Sequence, residues 1–273
     1  MVHFVGAGPG APDLITLRGL RLLEKADIVI YAGSLVNPEL LRYAKPKAKI
    51  YDSAKLSLLE IIEIIVAAYR ERGLPAGEGG SKTLSYENAD APEIVRLQTG
   101  DVSIYSALRE QAEALDEYGI AWDVCPGLGA MQASAAALGA EYTEPGVTQT
   151  VIITRAEGRT KMPSAEQLRG LAAHRTTLLL YLSSSLTEKV QAELLAAGLP
   201  EDTSVGVVYK ASWPEERVYR STLGELSALF RREGLSKTAL IVVGEVLNRS
   251  RSAAELSKLY DEGFTTEYRK GKA

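Results

Sequence analysis

Three glycine-containing turns combine the residue types and spacing that point most directly to chemistry. They are GAGPGAPDLIT at 6–16, TGDVSIYSA at 99–107 and PGLGA at 126–130. Each turn follows an apolar run, VHFV, IVRLQ or AWDVC, that predicts a β-strand. Because glycine has no Cβ, such turns let the backbone approach a ligand closely, and open α/β sheets bind small ligands at the carboxyl ends of their strands. We therefore predict that the three turns form one ligand crevice.

The first turn also matches the dinucleotide fingerprint G-x-G-x-x-G/A, at Gly6, Gly8 and Ala11. That fingerprint expects an acidic residue about twenty positions later, at the end of the second strand. The corresponding segment at 30–34, IYAGS, has no carboxylate. Pro9 also removes a backbone N–H that a pyrophosphate would use. A nicotinamide or flavin site is therefore disfavoured but stays an alternative.

Each candidate also has a purely structural interpretation. The glycines are compatible with tight strand-to-helix turns, and Asp101 is well placed to cap a helix beginning near Ser103. The loop with Arg155 and Arg159 suits either a solvated surface or a carboxylate site. The segment YKASWP at 209–214 suits either a hydrophobic corner or a site wall.

The amino-acid composition favours some classes of protein and excludes others. With 46% apolar and 24% charged residues over 273 positions, we expect a folded globular enzyme. Cys125 is the only cysteine, which excludes an intrachain disulfide, and the two histidines, His3 and His174, are far apart, so we expect no protein-bound metal. The net charge of −4 argues against a nucleic-acid partner. No apolar stretch reaches the roughly eighteen residues of a membrane span, and no basic signal region precedes the first strand, so we expect a cytoplasmic protein without a membrane partner.

The first half of the chain alternates strand and helix patterns. Predicted strands lie at 2–6, 27–32, 48–52, 93–98 and 120–125. Predicted helices lie at 17–26, 37–45, 57–71, 103–118 and 130–139, with Thr16 as one N-cap and Ser57 with Glu60 as a capping box. This alternation predicts a mainly parallel sheet with crossover helices.

The second half is richer in β-branched residues. Predicted strands lie at 150–155, 176–182, 203–209, 217–222 and 238–247, and predicted helices at 185–197 and 223–233. The strand at 217–222 follows the previous strand after seven residues, which indicates a hairpin and a mixed sheet. We therefore predict two α/β domains, at 1–140 and 147–247, followed by a tail at 248–273. The glycine-rich segment 73–92 is predicted to be a loop without an assigned role.

Several of these motifs together resemble the tetrapyrrole methylases. They are GAGPGAPDLIT, YAGSLV at 31–36, the G-D-x-S-I-Y and P-G-x-x-A turns, TQTVIITRAEGRT at 148–160 and VVYKASWPEERVYR at 207–220. The TRAEGRT and YKASWP segments are similar to the branch that methylates precorrin-4 at C-11 in cobalamin biosynthesis, and the ending SKLYDEGFTTEYRKG resembles the cobalt-precorrin, or anaerobic, form of that branch.

The resemblance implies two α/β domains with S-adenosylmethionine in the cleft between them, S-adenosylhomocysteine as product, and a homodimer. By motif matching, the cofactor residues are Pro9, Thr99, Gly100, Asp101, Ile104, Gly129, Ala130, Leu182, Ala211 and Ala239. The candidate substrate residues are Ser34, Tyr105, Arg155, Arg159 and Trp213. The implied substrate is a tetrapyrrole polycarboxylate, which suits forked arginine partners and would itself carry any cobalt.

The implied chemistry leaves the catalytic residues unassigned, because the tetrapyrrole carbon is itself the nucleophile. Two groups of alternatives stay open. One is methylation of a precorrin or uroporphyrinogen at another ring position. The other is a different class of protein, either an NAD-type oxidoreductase or a non-catalytic module that binds a corrinoid or nucleotide.

Overall fold

The computed structural model describes residues 1–74, 90–248 and 260–272. Its contacts divide the chain into two compact units, one of Met1–Ala133 with Ser212–Pro214 and one of Ser134–Ala211 with Glu215–Ala273. The predicted second domain includes Ser212–Pro214, whereas their contacts group these residues with the first unit. Residues 75–89 of the predicted loop at 73–92, and residues 249–259 and 273 of the predicted tail at 248–273, lie outside the described residues.

The first unit is built on a five-stranded parallel sheet, as predicted. Its strands are β1 (Val2–Gly6), β2 (Ile28–Tyr31), β3 (Lys49–Asp52), β4 (Ile94–Gln98) and β5 (Trp122–Cys125). They lie in the order β3-β2-β4-β1-β5, and every neighbouring pair is parallel. The strands that precede the three glycine turns, β4, β1 and β5, are therefore adjacent.

Helices cover both faces of this sheet. They are α1 (Leu17–Lys25), α2 (Leu58–Glu71) and α3 (Leu108–Glu117). A further helix, α4 (Ala130–Leu138), follows the third glycine turn and continues into the second unit. The predicted caps are present, because Thr16 accepts a hydrogen bond from the Gly19 N–H and Ser57 forms a complete capping box with Glu60. The segment predicted as a helix at 37–45 is a 3₁₀ helix over Pro38–Tyr43.

The strands are apolar on both faces, as expected of a parallel sheet covered on both sides. One face, with Phe4 and Ile30, packs on α2 and α3. The other face, with Val5 and Leu97, packs on α1 and the 3₁₀ helix. This double burial fixes the strand ends that carry the glycine turns.

The start of α3 was predicted wrongly. The helix begins at Leu108 and not near Ser103, because Tyr105 and Ala107 have left-handed backbone conformations, with φ of 53° and 55°. A left-handed residue cannot continue a right-handed helix. Asp101 is consequently too far from the helix to cap it.

The second unit holds a mixed five-stranded sheet, as predicted. Its strands are β6 (Val151–Arg155), β7 (Thr177–Tyr181), β8 (Ser204–Tyr209), β9 (Arg217–Thr222) and β10 (Ala239–Val243), in the order β6-β7-β10-β8-β9. β6 and β7 are parallel, β10 is antiparallel to both of its neighbours, and β8 with β9 forms the predicted hairpin. The helices are α5 (Leu168–Ala172), which the sequence did not predict, α6 (Thr187–Ala196) and α7 (Leu226–Arg232).

Over the described ranges, no helix is both long and apolar enough to cross a membrane.

One buried ionisable group links three parts of the first unit. His3 in β1 is only 5% exposed. Its Nδ1 lies 2.7 Å from Asp123 Oδ1 and its Nε2 lies 2.7 Å from Glu93 Oε2. Burial alone would lower the pKa of His3, but the hydrogen bonds to Asp123 and Glu93 raise it above the ordinary value. His3 is therefore an imidazolium held between two carboxylates at moderately acidic pH.

We predict that His3→Gln destabilises the fold in a pH-dependent way. The raised pKa means that protonated His3 stabilises the folded state fully below its unfolded-state pKa of about 6.5, and that this contribution disappears as the pH rises through the folded-state pKa. At pH 5.5 to 6 the variant should lose about 1–2 kcal/mol of unfolding free energy, and less at pH 9. Urea unfolding across this range measures the difference.

The matched control is His174→Gln, because His174 is the other histidine of the chain and is exposed. It should change the unfolding free energy little at any pH. A loss in His3→Gln that stayed constant from pH 5.5 to 9 would show that the charge of His3 does not contribute.

Candidate active site

The three glycine turns meet through their backbones. A Cβ built on Gly6 would lie 2.6 Å from the carbonyl oxygen of Gly100 and 2.6 Å from the Cα of Gly127. A Cβ on Gly127 would in turn overlap the same carbonyl of Gly100 and the Cα of Gly6. One glycine from each turn is thus in direct contact with the other two, and no side chain fits between them.

Backbone hydrogen bonds join the first two turns. The Gly100 N–H donates to the Gly8 carbonyl at 2.9 Å, and the Gly8 N–H donates to the Gly100 carbonyl at 3.2 Å. Both residues have left-handed backbones, with φ of 83° at Gly8 and 65° at Gly100, where glycine is favoured. These bonds extend the β1–β4 contact beyond the ends of the strands.

Asp101 joins the second turn to the third. Its Oδ2 accepts a 2.8 Å hydrogen bond from the Gly127 N–H, and its Oδ1 accepts from the N–H and the hydroxyl of Ser103. Burial alone would raise the pKa of Asp101, but the hydrogen bonds from Ser103 and Gly127 lower it below the ordinary value. An ionised carboxylate is therefore fixed at this edge of the sheet at neutral pH.

Side chains that are distant in sequence hold the first turn. The Ala11 N–H donates to Ser212 Oγ at 3.0 Å, and Trp213 Nε1 donates to the Pro9 carbonyl at 3.0 Å. The indole of Trp213 also covers Gly10, where any Cβ would overlap the ring. Trp213 was predicted to bind substrate; in the structure its indole orders the first turn, and the substrate role stays a prediction.

Asn37 completes this support, and the sequence analysis missed it. The side chain is 6% exposed; its Nδ2 donates to the Gly10 carbonyl at 2.9 Å, and its Oδ1 accepts from the Glu39 N–H at 3.0 Å. The Asn-Pro pair at 37–38 signals a helix start. It gave no indication of the second bond, to a turn 27 residues earlier.

The charge of the three turns restricts the ligand. Asp13 and Asp101 are the only ionisable side chains within 6–16, 99–107 and 126–130 apart from Tyr105. Phosphate sites depend on N–H groups and cations, whereas these turns contain carboxylates, a proline and an Ala11 N–H already bonded to Ser212. This edge therefore suits a ligand with positive charge better than a pyrophosphate.

A buried arginine supports the loop that carries Tyr105. Tyr105 is 48% exposed, and the carbonyls of Ser106 and Ala107 behind it accept hydrogen bonds from Gln111 Nε2 at 3.3 and 2.9 Å. Gln111 Oε1 in turn accepts from Arg96 Nε at 2.9 Å. Burial lowers the pKa of Arg96 to about 10, so its guanidinium stays charged at neutral pH. The only signal of Arg96 in the sequence was a cation within an apolar strand.

The other candidates of the first unit lie at the same carboxyl edge of its sheet. Thr99 is exposed, and its hydroxyl donates to the Leu35 carbonyl at 3.3 Å. Ser34 is exposed in the turn after β2. Ile104 is half-buried beside Tyr105, and Ala130 is the first residue of α4, directly after Gly129. The structure therefore places all of these residues in turns that follow β2, β4 and β5.

The candidates of the second unit also share one sheet edge. β6, β7 and β8 run in the same direction, so their carboxyl ends lie together, and the antiparallel β10 begins at that edge. The residues there are Arg155 and Arg159 at β6, Leu182 after β7, Ala211 after β8, and Ala239 at the start of β10. The fold thus gathers five predicted site residues from four strands.

Two hydrogen bonds join these turns. Ser184 Oγ donates to the Ala239 carbonyl at 3.1 Å, and the Lys210 N–H donates to the Thr238 carbonyl at 2.9 Å. Leu182 is 65% exposed and has a left-handed backbone, with φ of 52°. Strained and exposed apolar residues of this kind are typical of ligand sites.

Among residues 1–74, 90–248 and 260–272, no group of three or more His, Cys, Asp or Glu side chains is arranged to hold a metal ion. The sequence-based expectation about metal stays a prediction.

Comparisons with known proteins relate this site to a family. The model of the Tetrapyrrole (Corrin/Porphyrin) Methylases matches residues 1–227. A cobalt-precorrin-4 C(11)-methyltransferase of Methanocaldococcus jannaschii is 48% identical over 269 residues, which cover 98% of this chain and 96% of the relative. A precorrin-4 C(11)-methyltransferase of a Sinorhizobium species is 40% identical over 269 residues, which cover 98% of each chain.

Solved structures agree with these relatives. The X-ray structure of a cobalamin biosynthetic enzyme, cobalt precorrin-4 methyltransferase, has a TM-score of 0.81 at 43% identity and covers 90% of this chain and 95% of its own. Uroporphyrin-III C-methyltransferase from Thermus thermophilus, complexed with S-adenyl homocysteine, has a TM-score of 0.69 at 27% identity and covers 90% and 98%.

The contact between the glycines predicts different effects of alanine at two nearby positions. Gly127→Ala places a methyl group against the backbone of Gly6 and Gly100, which cannot move without shifting β1 and β4. We expect about 2 kcal/mol or more of lost stability. In Gly129→Ala the new Cβ meets only the end of the Gln132 side chain, at 2.9 Å, which can rotate away.

Urea unfolding of the two variants and the wild type measures this difference without any ligand. Gly129→Ala should stay within about 0.5 kcal/mol of the wild type. Equal stability of Gly127→Ala and Gly129→Ala would contradict the proposed backbone contact.

Proposed function

This chain belongs to the tetrapyrrole (corrin/porphyrin) methylases, and we propose that it transfers a methyl group from S-adenosylmethionine to C-11 of precorrin-4. The observation that carries the proposal is the near-full-length identity to relatives named for this reaction. Those relatives include both cobalt-precorrin-4 and precorrin-4 enzymes, so the proposed substrate is precorrin-4 with or without cobalt. In this proposal the macrocycle itself holds the cobalt, and the active form is a homodimer.

The first unit fits S-adenosylmethionine, which has a sulfonium and an ammonium group but no phosphate. Ionised Asp101 is held at the edge of the sheet, and the turns contain no lysine or arginine. The residues proposed to hold the cofactor are Pro9, Thr99, Gly100, Asp101, Ile104, Gly129 and Ala130, and in the second unit Leu182, Ala211 and Ala239. The solved relative complexed with S-adenyl homocysteine supports the same ligand class.

The contribution of the chain to catalysis is orientation within an apolar environment. S-adenosylmethionine supplies an electrophilic methyl group on a positively charged sulfur. The proposed cofactor residues include apolar side chains in each unit, Ile104 and Ala130 in the first and Leu182, Ala211 and Ala239 in the second. Apolar groups solvate a sulfonium poorly and so favour a transition state in which its charge is dispersed. The acceptor carbon of the tetrapyrrole is the nucleophile, so the turns contribute by alignment, which can lower the barrier by several kcal/mol, roughly 7–11 in well-oriented model reactions.

Transfer of labelled methyl tests the function directly. The purified chain is incubated with cobalt-precorrin-4 or metal-free precorrin-4 and S-adenosylmethionine carrying a ¹³C methyl group, and the product is examined by NMR. We expect one new labelled methyl, on C-11, with at least one of the two substrates. Label at another ring carbon would retain the family and exclude this position, and absence of transfer would exclude the proposed reaction.

Asp101→Ala tests the proposed cofactor site. Removing the carboxylate releases the Gly127 N–H and removes the negative charge of Asp101 from this edge of the sheet. We expect about tenfold weaker binding of S-adenosylhomocysteine by calorimetric titration, equivalent to about 1.4 kcal/mol.

Asp13→Ala is the matched control, because Asp13 is the other carboxylate of the turns and is exposed. It should leave the affinity almost unchanged. If folded Asp101→Ala bound S-adenosylhomocysteine as tightly as the wild type, Asp101 would be only a structural link between two turns.

A further inference from the structure

The loop after β6, residues 156–162, is held from within by Arg155. The Arg155 guanidinium donates from Nη1 to the carbonyls of Ala156 at 3.4 Å and Thr160 at 3.2 Å, and from Nη2 to the carbonyl of Lys161 at 3.2 Å. A planar group with several N–H donors can satisfy three carbonyls in this way, whereas a lysine ammonium has neither the reach nor the shape. Arg155 therefore acts as the internal support of the loop.

Three further side chains fix the same loop. Glu157 Oε2 accepts from the Met162 N–H at 3.1 Å and from Gln167 Nε2 at 2.9 Å, which closes the far end of the loop. Ser183 Oγ accepts from the Ala156 N–H at 2.8 Å in a buried bond. Lys189 Nζ donates to the Glu157 carbonyl at 2.8 Å. The loop is thus preorganised at both ends and in its middle.

Two cations project from this fixed loop. Arg159 and Lys161 are exposed, and in the described part of the chain neither forms a salt bridge. The acidic residue of the loop, Glu157, accepts hydrogen bonds from the Met162 N–H and from Gln167, and its carboxylate also attracts Lys161 electrostatically. Two positive charges are therefore held at the carboxyl edge of the second sheet, two positions apart, and neither forms a salt bridge within the described residues.

We propose that Arg159 and Lys161 together bind the peripheral carboxylates of the tetrapyrrole, and that Arg155 is a positioning residue that does not touch the substrate. This inference rests on the proposed function for the identity of the substrate. It changes the sequence-based prediction in two ways, by replacing Arg155 with Lys161 as the second carboxylate ligand and by giving Arg155 a separate role. Cations on a preorganised loop bind well because little loop entropy is lost on binding.

The test uses a stable probe, uroporphyrin, whose eight carboxylates provide the same chemistry without the reaction. Its absorbance and fluorescence are titrated with the wild type and with Arg159→Gln, Lys161→Gln and Arg169→Gln. Arg169 is the matched control, because it is an exposed arginine of the same unit, on α5, without a salt bridge in the described ranges. We expect about tenfold weaker binding for Arg159→Gln and several-fold weaker binding for Lys161→Gln, and no change for Arg169→Gln.

Arg155→Lys separates positioning from contact. It keeps the positive charge but loses the three carbonyl bonds, so we expect probe binding as weak as in Arg159→Gln while affinity for S-adenosylhomocysteine stays at the wild-type value. Arg159→Lys, which keeps a contacting charge, should recover part of the lost affinity. Salt should weaken the wild type more than the Arg159→Gln/Lys161→Gln double variant.

The outcomes distinguish this inference from the proposed function. The carboxylate site is overturned if uroporphyrin binds equally well to the wild type, Arg159→Gln and Lys161→Gln, or if it does not bind at all. This holds even if methyl transfer to C-11 occurs with an unchanged KM. Wild-type affinity in Arg155→Lys overturns the positioning role. Variant-dependent probe binding without any methyl transfer retains the carboxylate site and overturns the proposed reaction.

Discussion

The contact of three backbones at Gly6, Gly100 and Gly127 is the constraint on which the first unit depends. It exists because β4, β1 and β5 are neighbours in a parallel sheet and each is followed by a turn without a Cβ at the point of closest approach. Asp101 then closes the arrangement by accepting from the Gly127 N–H. Every cofactor candidate of this unit follows one of these three strands, so its position is set by this contact.

The same constraint explains why a glycine-rich turn here does not indicate a dinucleotide. The glycines are required for contact between turns, and Pro9 is compatible with that role because its carbonyl, not a missing N–H, is the group used by Trp213. The charge that remains at the edge is negative, at Asp101. Backbone packing and the negative charge of Asp101 therefore favour a phosphate-free cation over a dinucleotide as the ligand of this edge.

Much of the fold could be predicted from the sequence, because strand and helix periods and the caps at Thr16 and Ser57 are local signals. The start of α3 could not, because the sequence after Ser103 suits a helix, whereas the left-handed turn before α3 is held by side-chain hydrogen bonds from Gln98 and Gln111 to its carbonyls. The role of Trp213 was also inaccessible, since its partner lies 204 residues away. Local sequence likewise could not show which glycine of the third turn makes the packing contact.

We propose that the glycine edge binds the phosphate-free nucleoside of S-adenosylmethionine and not a dinucleotide. Calorimetric titration of the full chain with S-adenosylhomocysteine and, separately, with NADH tests it most directly. We expect saturable binding of S-adenosylhomocysteine, with a dissociation constant in the micromolar range or below, and no measurable binding of NADH. Tight binding of NADH without binding of S-adenosylhomocysteine would contradict it.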